Sequence, residues 1–207
     1  MIRELVLVRA GFSETPWFGR RPPPPPALVP GVRLEAITDV SMAAAFGDSP
    51  VPVADVARRL SDGDVCIGAL SDAGCIVGQM WSADRPRWID WIGATVTPPA
   101  DHRLLYNAWV APAWRGHGLQ WALAAAACGD VVRRGAVGIA AGVERREYAP
   151  FARKYAALGL AVIVPFASVW ALRLFGRALT WTATPPRGLS AATERARAML
   201  ARAASPL

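Results

Sequence analysis

Lysine is nearly missing from this sequence: Lys154 is the only one, and the other 22 of its 23 basic residues are arginines scattered along the chain. The net charge of +7 is therefore not gathered into one block. A solvated basic surface accounts for it more readily than attraction to phosphates, an acidic carrier protein, a membrane or nucleic acid. Cysteine is scarce too. Cys66, Cys75 and Cys128 are odd in number and form no Cys-x-x-Cys or Cys/His ligand spacing, which counts against a disulfide framework and a metal site and fits a reducing compartment. The dinucleotide fingerprint Gly-x-Gly-x-x-Gly is absent, so a nucleotide-binding βαβ unit is not expected. Long apolar runs are lacking as well. Residues 156–172 carry no charge, but they number 17, contain Gly159 and Pro165, and fall short of the roughly 20 residues a bilayer needs. Arg3, Glu4 and Arg9 interrupt the first apolar run, which excludes a secretory signal there. A cytoplasmic protein without a transmembrane segment is expected, and no internal repeat is visible.

What is present is enough for a folded domain: 207 residues, 53% hydrophobic and 19% charged, with 18 glycines and 18 prolines marking many turns. The organisation reads as an N-terminal segment and proline-rich linker over residues 1–30, a body over 31–180, and a tail with a short basic helix over 181–207. A strand is predicted at Ile2–Val8, followed by an aromatic piece and the spacer Pro22–Pro26. In the body, a strand is predicted at Val32–Ile37 and helical pieces at Asp39–Phe46 and Val53–Leu60, interrupted at Pro50 and Pro52. Val65–Leu70 and Cys75–Trp81 flank Ser71-Asp72-Ala73-Gly74, a hairpin signal. Trp88–Val96 is a further apolar run. After the prolines at 98 and 99, a strand at Leu104–Val110 leads into a glycine loop and a helix from about Gly118 to Arg134, stopped by Gly135. Val137–Val143 reads as a strand, Tyr148–Leu158 as a helix ended by Gly159, and Ala161–Pro165 and Ser168–Leu174 as two β runs. Ser190 is placed to cap a last helix reaching Ala203.

The loop Arg115-Gly116-His117-Gly118-Leu119-Gln120 is the most informative stretch. Strand, glycine loop and helix in that order turn the first backbone N–H groups of a helix into a loop that an anion can approach, with the helix dipole added. A phosphate group suits such a place.

The order of elements over residues 31–177 resembles the GNAT superfamily of acyl-CoA-dependent N-acyltransferases. Two motifs carry the resemblance. Arg115-Gly116-His117-Gly118-Leu119-Gln120 is similar to the family's Arg/Gln-x-x-Gly-x-Gly/Ala pyrophosphate motif, with Gln120 standing where the family has glycine or alanine. Tyr155-Ala-Ala-Leu158-Gly159-Leu160 resembles its Tyr-x-x-Leu-Gly-Phe helix ending. The resemblance implies an α/β (α+β) fold with a central mixed, mostly antiparallel sheet flanked by helices. It implies acetyl-CoA or another acyl-CoA as co-substrate, no metal, and an amine on a small molecule or peptide as acceptor. The amides from Arg115 to Gln120 would hold the pyrophosphate. Trp109, Val110 and Ala111 would align the pantetheine arm, with the Val110 N–H polarising the thioester carbonyl. Tyr155 would be the general acid that protonates the departing thiolate. Where the family often has asparagine seven residues before that tyrosine, this chain has Tyr148. His117 is expected to point outward, and Glu144, Glu147, Asp101 and His102 are the candidates for a base.

Trp81, Trp88 and Trp91 precede the strand where this fold builds its acceptor side; core packing explains them, and exposure of part of the group would suit an apolar acceptor or a long acyl chain. Because of Gln120, an acyl carrier protein is an alternative donor. A GNAT-like module that binds without turnover is an alternative to an enzyme. A protein that associates with membranes or nucleic acid through its arginine-bearing tail and other surface arginines is a third reading; in the leading reading nucleic acid is not expected as a partner, and a homodimer is an open expectation.

Overall fold

The computed structural model describes residues 2–12, 28–89, 94–144, 160–174 and 177–183, with side chains described for 28–89 and 94–143. Ten strands and two α-helices are seen among these residues. Eight strands form one sheet in the order β10 (Arg177–Ala183), β9 (Leu160–Leu174), β1 (Ile2–Phe12), β8 (Gly138–Glu144), β7 (His102–Val110), β4 (Ile76–Ala83), β3 (Val65–Ser71) and β2 (Val32–Ile37). Every neighbouring pair is antiparallel except β7 and β8, which run parallel. The central mixed, mostly antiparallel sheet is the one expected.

Strands β3 and β4 are near-continuous apolar runs because both of their faces are covered; all eight residues of β4 are buried. One face is packed by a 3-10 helix at Val40–Phe46, which Asp39 caps by accepting from Ser41 N at 2.8 Å, and by α1 (Val53–Ser61). Ile37, Phe46, Val56, Leu60, Trp81 and Tyr106 form the core there. The other face is packed by α2 (Leu119–Arg133), whose Leu119, Leu123, Ala127 and Val131 meet Val65, Ile67, Leu105 and Val110. At Gly78 a side chain would have its Cβ 3.0 Å from Leu123 Cδ1, so glycine in β4 lets the helix lie close against the sheet. At its C-terminal end α2 is held by buried Asp130, which accepts from Arg134 Nε at 2.6 Å.

Several expectations are refined. The first strand extends to Phe12 and lies inside the sheet between β8 and β9, so the segment ahead of the prolines is a component of that sheet. The run Trp88–Val96 contributes a small separate hairpin, β5 (Arg87–Ile89) with β6 (Ala94–Val96). The two β runs after Leu160 are one strand, β9, because a register irregularity opposite Leu7 and Val8 accommodates Pro165 within it. β10 was not foreseen, and it continues to Ala183. The helices expected at Tyr148–Leu158 and after Ser190 lie outside the described residues. Among the described residues no helix is long and apolar enough to cross a membrane.

Candidate functional site

Two strands that begin side by side and then part create the site. β7 and β8 are paired only from His102 to Leu105, opposite Gly138 to Ala141. Beyond that point β8 continues to Glu144 in partnership with β1, while β7 continues to Val110 in partnership with β4. The last five residues of β7 therefore have one edge that β8 has left. Ala111 donates its N–H to Val77 O of β4 at 2.9 Å. Because successive residues of a strand turn their N–H groups to opposite edges, the Val110 N–H faces the open side. The Val110 carbonyl accepts from Arg115 Nε at 3.0 Å, which ties the loop back onto the strand end.

The loop leaves β7 through a 3-10 turn at Pro112–Trp114 and reaches Arg115, which is extended, with φ −75° and ψ 157°. Gly116 has φ +83° and Gly118 has φ +73°, left-handed conformations that glycine adopts without a steric penalty. Gly118 is the N-cap of α2 and supplies no side-chain cap. The Arg115 amide, expected to face the anion with the others, donates instead to Pro112 O at 3.3 Å; among the described residues, the amides of residues 116–120 have no hydrogen-bond acceptor, whereas Trp121 and Ala122 bond back to Gly118 O. Among the described residues, a Cβ at Gly116 would meet nothing within 4 Å, so at that position they leave the loop uncovered. Arg115, Gly116, His117, Gly118 and Gln120 are all exposed; Leu119 turns inward to the core. Five unoccupied donors at the positive end of a 15-residue helix form a cradle for a phosphate-sized anion. The exposed Gln120 side chain is not packed into the body.

Trp109 and Ala111 are half-buried at the strand end, beside Val110. Asp101 and His102 lie at the other end of β7, about 25 Å of strand away from the loop, so neither serves as a base there. His102 Nδ1 is instead 2.9 Å from Ala100 O. Tyr155, Tyr148, Glu147 and Trp91 lie outside the described residues; for Glu144 the backbone alone is described, at the end of β8. Trp81 is fully buried and Trp88 is exposed.

A polar cluster that the sequence reading missed lies under the α1 face of β7. Tyr106 donates to Asp64, whose other oxygen accepts from Arg87; Arg87 also reaches Asp62 at 3.1 Å. Burial, reinforced by the hydrogen bond to Asp64 and that residue's charge, pushes the Tyr106 hydroxyl pKa up. Burial opposes the charged form of Arg87, but the hydrogen bond and charge of Asp64 prevail and raise its pKa. Arg59, on α1, lies over the rings of Trp81 and Tyr106, 5.3 and 5.2 Å from their centroids. With its amide oxygen turned toward the guanidinium, Asn107 accepts from Arg59 Nη1 at 2.8 Å and Nη2 at 2.9 Å. Asn107 is the only asparagine in the sequence and sits in an apolar strand, a signal that was available.

No protein-family profile and no curated protein sequence matches the chain. Solved structures do. A GCN5-related N-acetyltransferase from Sphaerobacter thermophilus superposes with a TM-score of 0.50 at 20% identity, over 88% of this chain and 52% of that one. A tandem GNAT protein from the clavulanic acid biosynthesis pathway gives 0.52 at 18% identity, over 90% of this chain and 55% of that one. The glucosamine N-acetyltransferase region of a fungal multi-domain β-N-acetylglucosaminidase gives 0.54 at 14% identity, over 80% of this chain and 20% of that one. The chain spans about half the length of the first two.

Proposed function

We infer that this chain, which has the fold of the GNAT N-acyltransferases, transfers an acyl group from acyl-CoA to an amine. The observation that carries this reading is the parting of β7 from β8 directly beside a loop of unoccupied amides. A phosphate-bearing tether laid along the open edge of β7 would reach from the α2 N-terminus into the gap. The fit is favourable: among the described residues, five amides lack acceptors, nothing lies within 4 Å of a Cβ at Gly116, and the helix end has no side-chain cap.

Acyl-CoA, when bound, supplies a thioester whose carbonyl carbon accepts the amine and whose sulfur leaves. The chain's own residues do the rest. Amides 116–120 hold the pyrophosphate through backbone N–H groups, which is why a loop with few cationic side chains suffices. The Val110 N–H, on the open edge, is the donor aimed where negative charge develops on the carbonyl oxygen. Arg115, bonded to Val110 O, holds the loop and that donor in one frame. Tyr155 remains the proposed acid for the thiolate on the strength of its motif. Acetyl or longer acyl chains, and a small-molecule or peptide amine, are the proposed substrates; an acyl carrier protein would present the same arm without the nucleotide.

Calorimetric titration with acetyl-CoA, longer acyl-CoAs and CoA itself tests the reading. Micromolar binding together with amide products from an amine panel is expected. Absence of binding to all of these at high micromolar concentration would overturn it, and binding without turnover on any amine would leave a binding module.

A further inference from the structure

β7 does not reach the open gap as a regular strand. Opposite β4 its register runs Trp81↔Tyr106 and then Gln79↔Trp109, so Asn107 and Ala108 together face Met80. Asn107 adopts φ +47°, a left-handed conformation that asparagine tolerates better than most residues but that still carries an energetic cost. This bulge lies at the point where β8 stops pairing, three residues before Val110. It therefore sets the course of the free edge. A conformation with a cost of its own persists where its surroundings hold it, and what grips this one is Arg59: two guanidinium N–H groups, from Nη1 and Nη2, close on one amide oxygen. Arg59 is itself fixed. It is buried, and its guanidinium carbon lies over the rings of Trp81 and Tyr106, while Tyr106 is anchored through Asp64 to Arg87.

We propose that Arg59 is a positioning residue: through Asn107 it holds the bulge of β7 and so aims the backbone donors of the open edge at the acyl carbonyl. This inference rests on the acyltransferase reading. The loop that would bind pyrophosphate belongs to α2, on the opposite face of the sheet, so loss of Arg59 should separate chemistry from CoA binding.

The experiment compares R59Q, N107G, the double variant and N107D by acyl-transfer kinetics, CoA calorimetry and amide hydrogen exchange over residues 106–111. R59Q is expected to lower kcat about 10- to 100-fold, the scale of a small misplacement of a reacting group, with CoA affinity held within about twofold. N107G, which lacks the tether but accepts positive φ, lowers kcat similarly, and the double variant is no worse than either single one, as expected for two residues acting as a unit. N107D keeps an acceptor for the guanidinium and retains kcat within about threefold. If R59Q fails to fold, N107G against N107D carries the same contrast. Additive losses in the double variant, or CoA affinity falling in step with kcat, would overturn the inference. Exchange in the 106–111 segment should quicken in R59Q and N107G; unchanged exchange counts against Arg59 alone, while failure of the unmodified chain to bind any acyl-CoA counts against the function.

Discussion

On the α2 side of β7, from Leu105 onward, the large side chains are Leu105 and Val110, packed among Val65, Ile67, Leu119 and Leu123. On the α1 side they are Tyr106, Asn107 and Trp109, meeting Arg59, Trp81 and Gln79. The aliphatic side needs only close approach, and it fixes where the N-terminus of α2, with its free amides, stands against the sheet. The polar side is built from directional bonds, and it fixes how the backbone of β7 turns. Gln79 shows how demanding that side is: it is fully buried, its Oε1 accepts from Ser49 Oγ at 2.9 Å, and its Nε2 has no partner among the described residues. Position comes from one face and direction from the other.

Asp64→Ala should break the polar face most severely. The carboxylate has no exposed side-chain surface and satisfies both Tyr106 and Arg87, so its removal strands a buried hydroxyl and a mostly buried cation. A loss of about 3–5 kcal/mol is expected from urea denaturation, with Asp64→Asn less damaging because it keeps an acceptor. A loss below about 1 kcal/mol would mean that the network is solvated and the contrast between faces is overstated.

Leu123→Ala should damage the other face by a different route. Leu123 is completely buried against Gly78, and its truncation leaves a cavity worth about 2–5 kcal/mol. Its imprint on function should be the reverse of that of R59Q: CoA affinity weakens because the helix N-terminus shifts, while the β7 ladder keeps its hydrogen exchange. If Leu123→Ala and R59Q give the same pattern, the two faces do not divide the labour.

Gly116→Asp separates the cradle from both cores. Among the described residues the new Cβ meets nothing within 4 Å, and aspartate is among the residues that tolerate positive φ, so stability should change by no more than about 1–2 kcal/mol. A carboxylate among the free amides opposes a phosphate, and CoA should bind at least about tenfold more weakly, with the penalty reduced by salt. Unchanged affinity would remove the loop from the site.

The aliphatic face was the legible one. The hairpin around Ser71-Asp72-Ala73-Gly74, the strand ending at Val110 and the helix stopped by Gly135 all follow from local patterns of period, turn and cap. The glycine loop was legible for the same reason, since its chemistry resides in consecutive residues. The polar face was not. Arg59 reads as the solvated side of an amphipathic helix, and nothing local links it to Asn107, 48 positions later in the sequence. β9 was divided in two because proline inside a run signals an end, and only the long-range pairing with β1 shows how Pro165 is accommodated. The parting of β7 and β8 is likewise a property of four strands together, since β8 follows β1 and β7 follows β4.

The smallest effect concerns a buried thiol on each face, Cys66 under α1 and Cys128 in α2. Burial pushes both pKa values up, Cys128 from 9.0 to about 12; at Cys66 a backbone hydrogen bond from Met80 and the charge of Arg59 work against the rise. A thiol that stays protonated in the folded chain but ionises in the unfolded one contributes fully below about pH 9, and that contribution is lost as pH rises toward 12. Between pH 9 and 10 each such thiol should cost stability about 1 kcal/mol or less. Cys128→Ala and Cys66→Ala should each flatten the alkaline slope of urea midpoints against pH, whatever they do to stability at pH 7. Exposed Cys75 should react with a thiol reagent at once, and the other two only on unfolding. Equal flattening by both substitutions is expected, because both folded thiols stay protonated in that range; a weaker effect at Cys66 would show that the charge of Arg59 on α1 stabilises the Cys66 thiolate of β3 against its burial; and fast reaction of Cys128 in the native chain would show that α2 is not the fixed platform its packing implies.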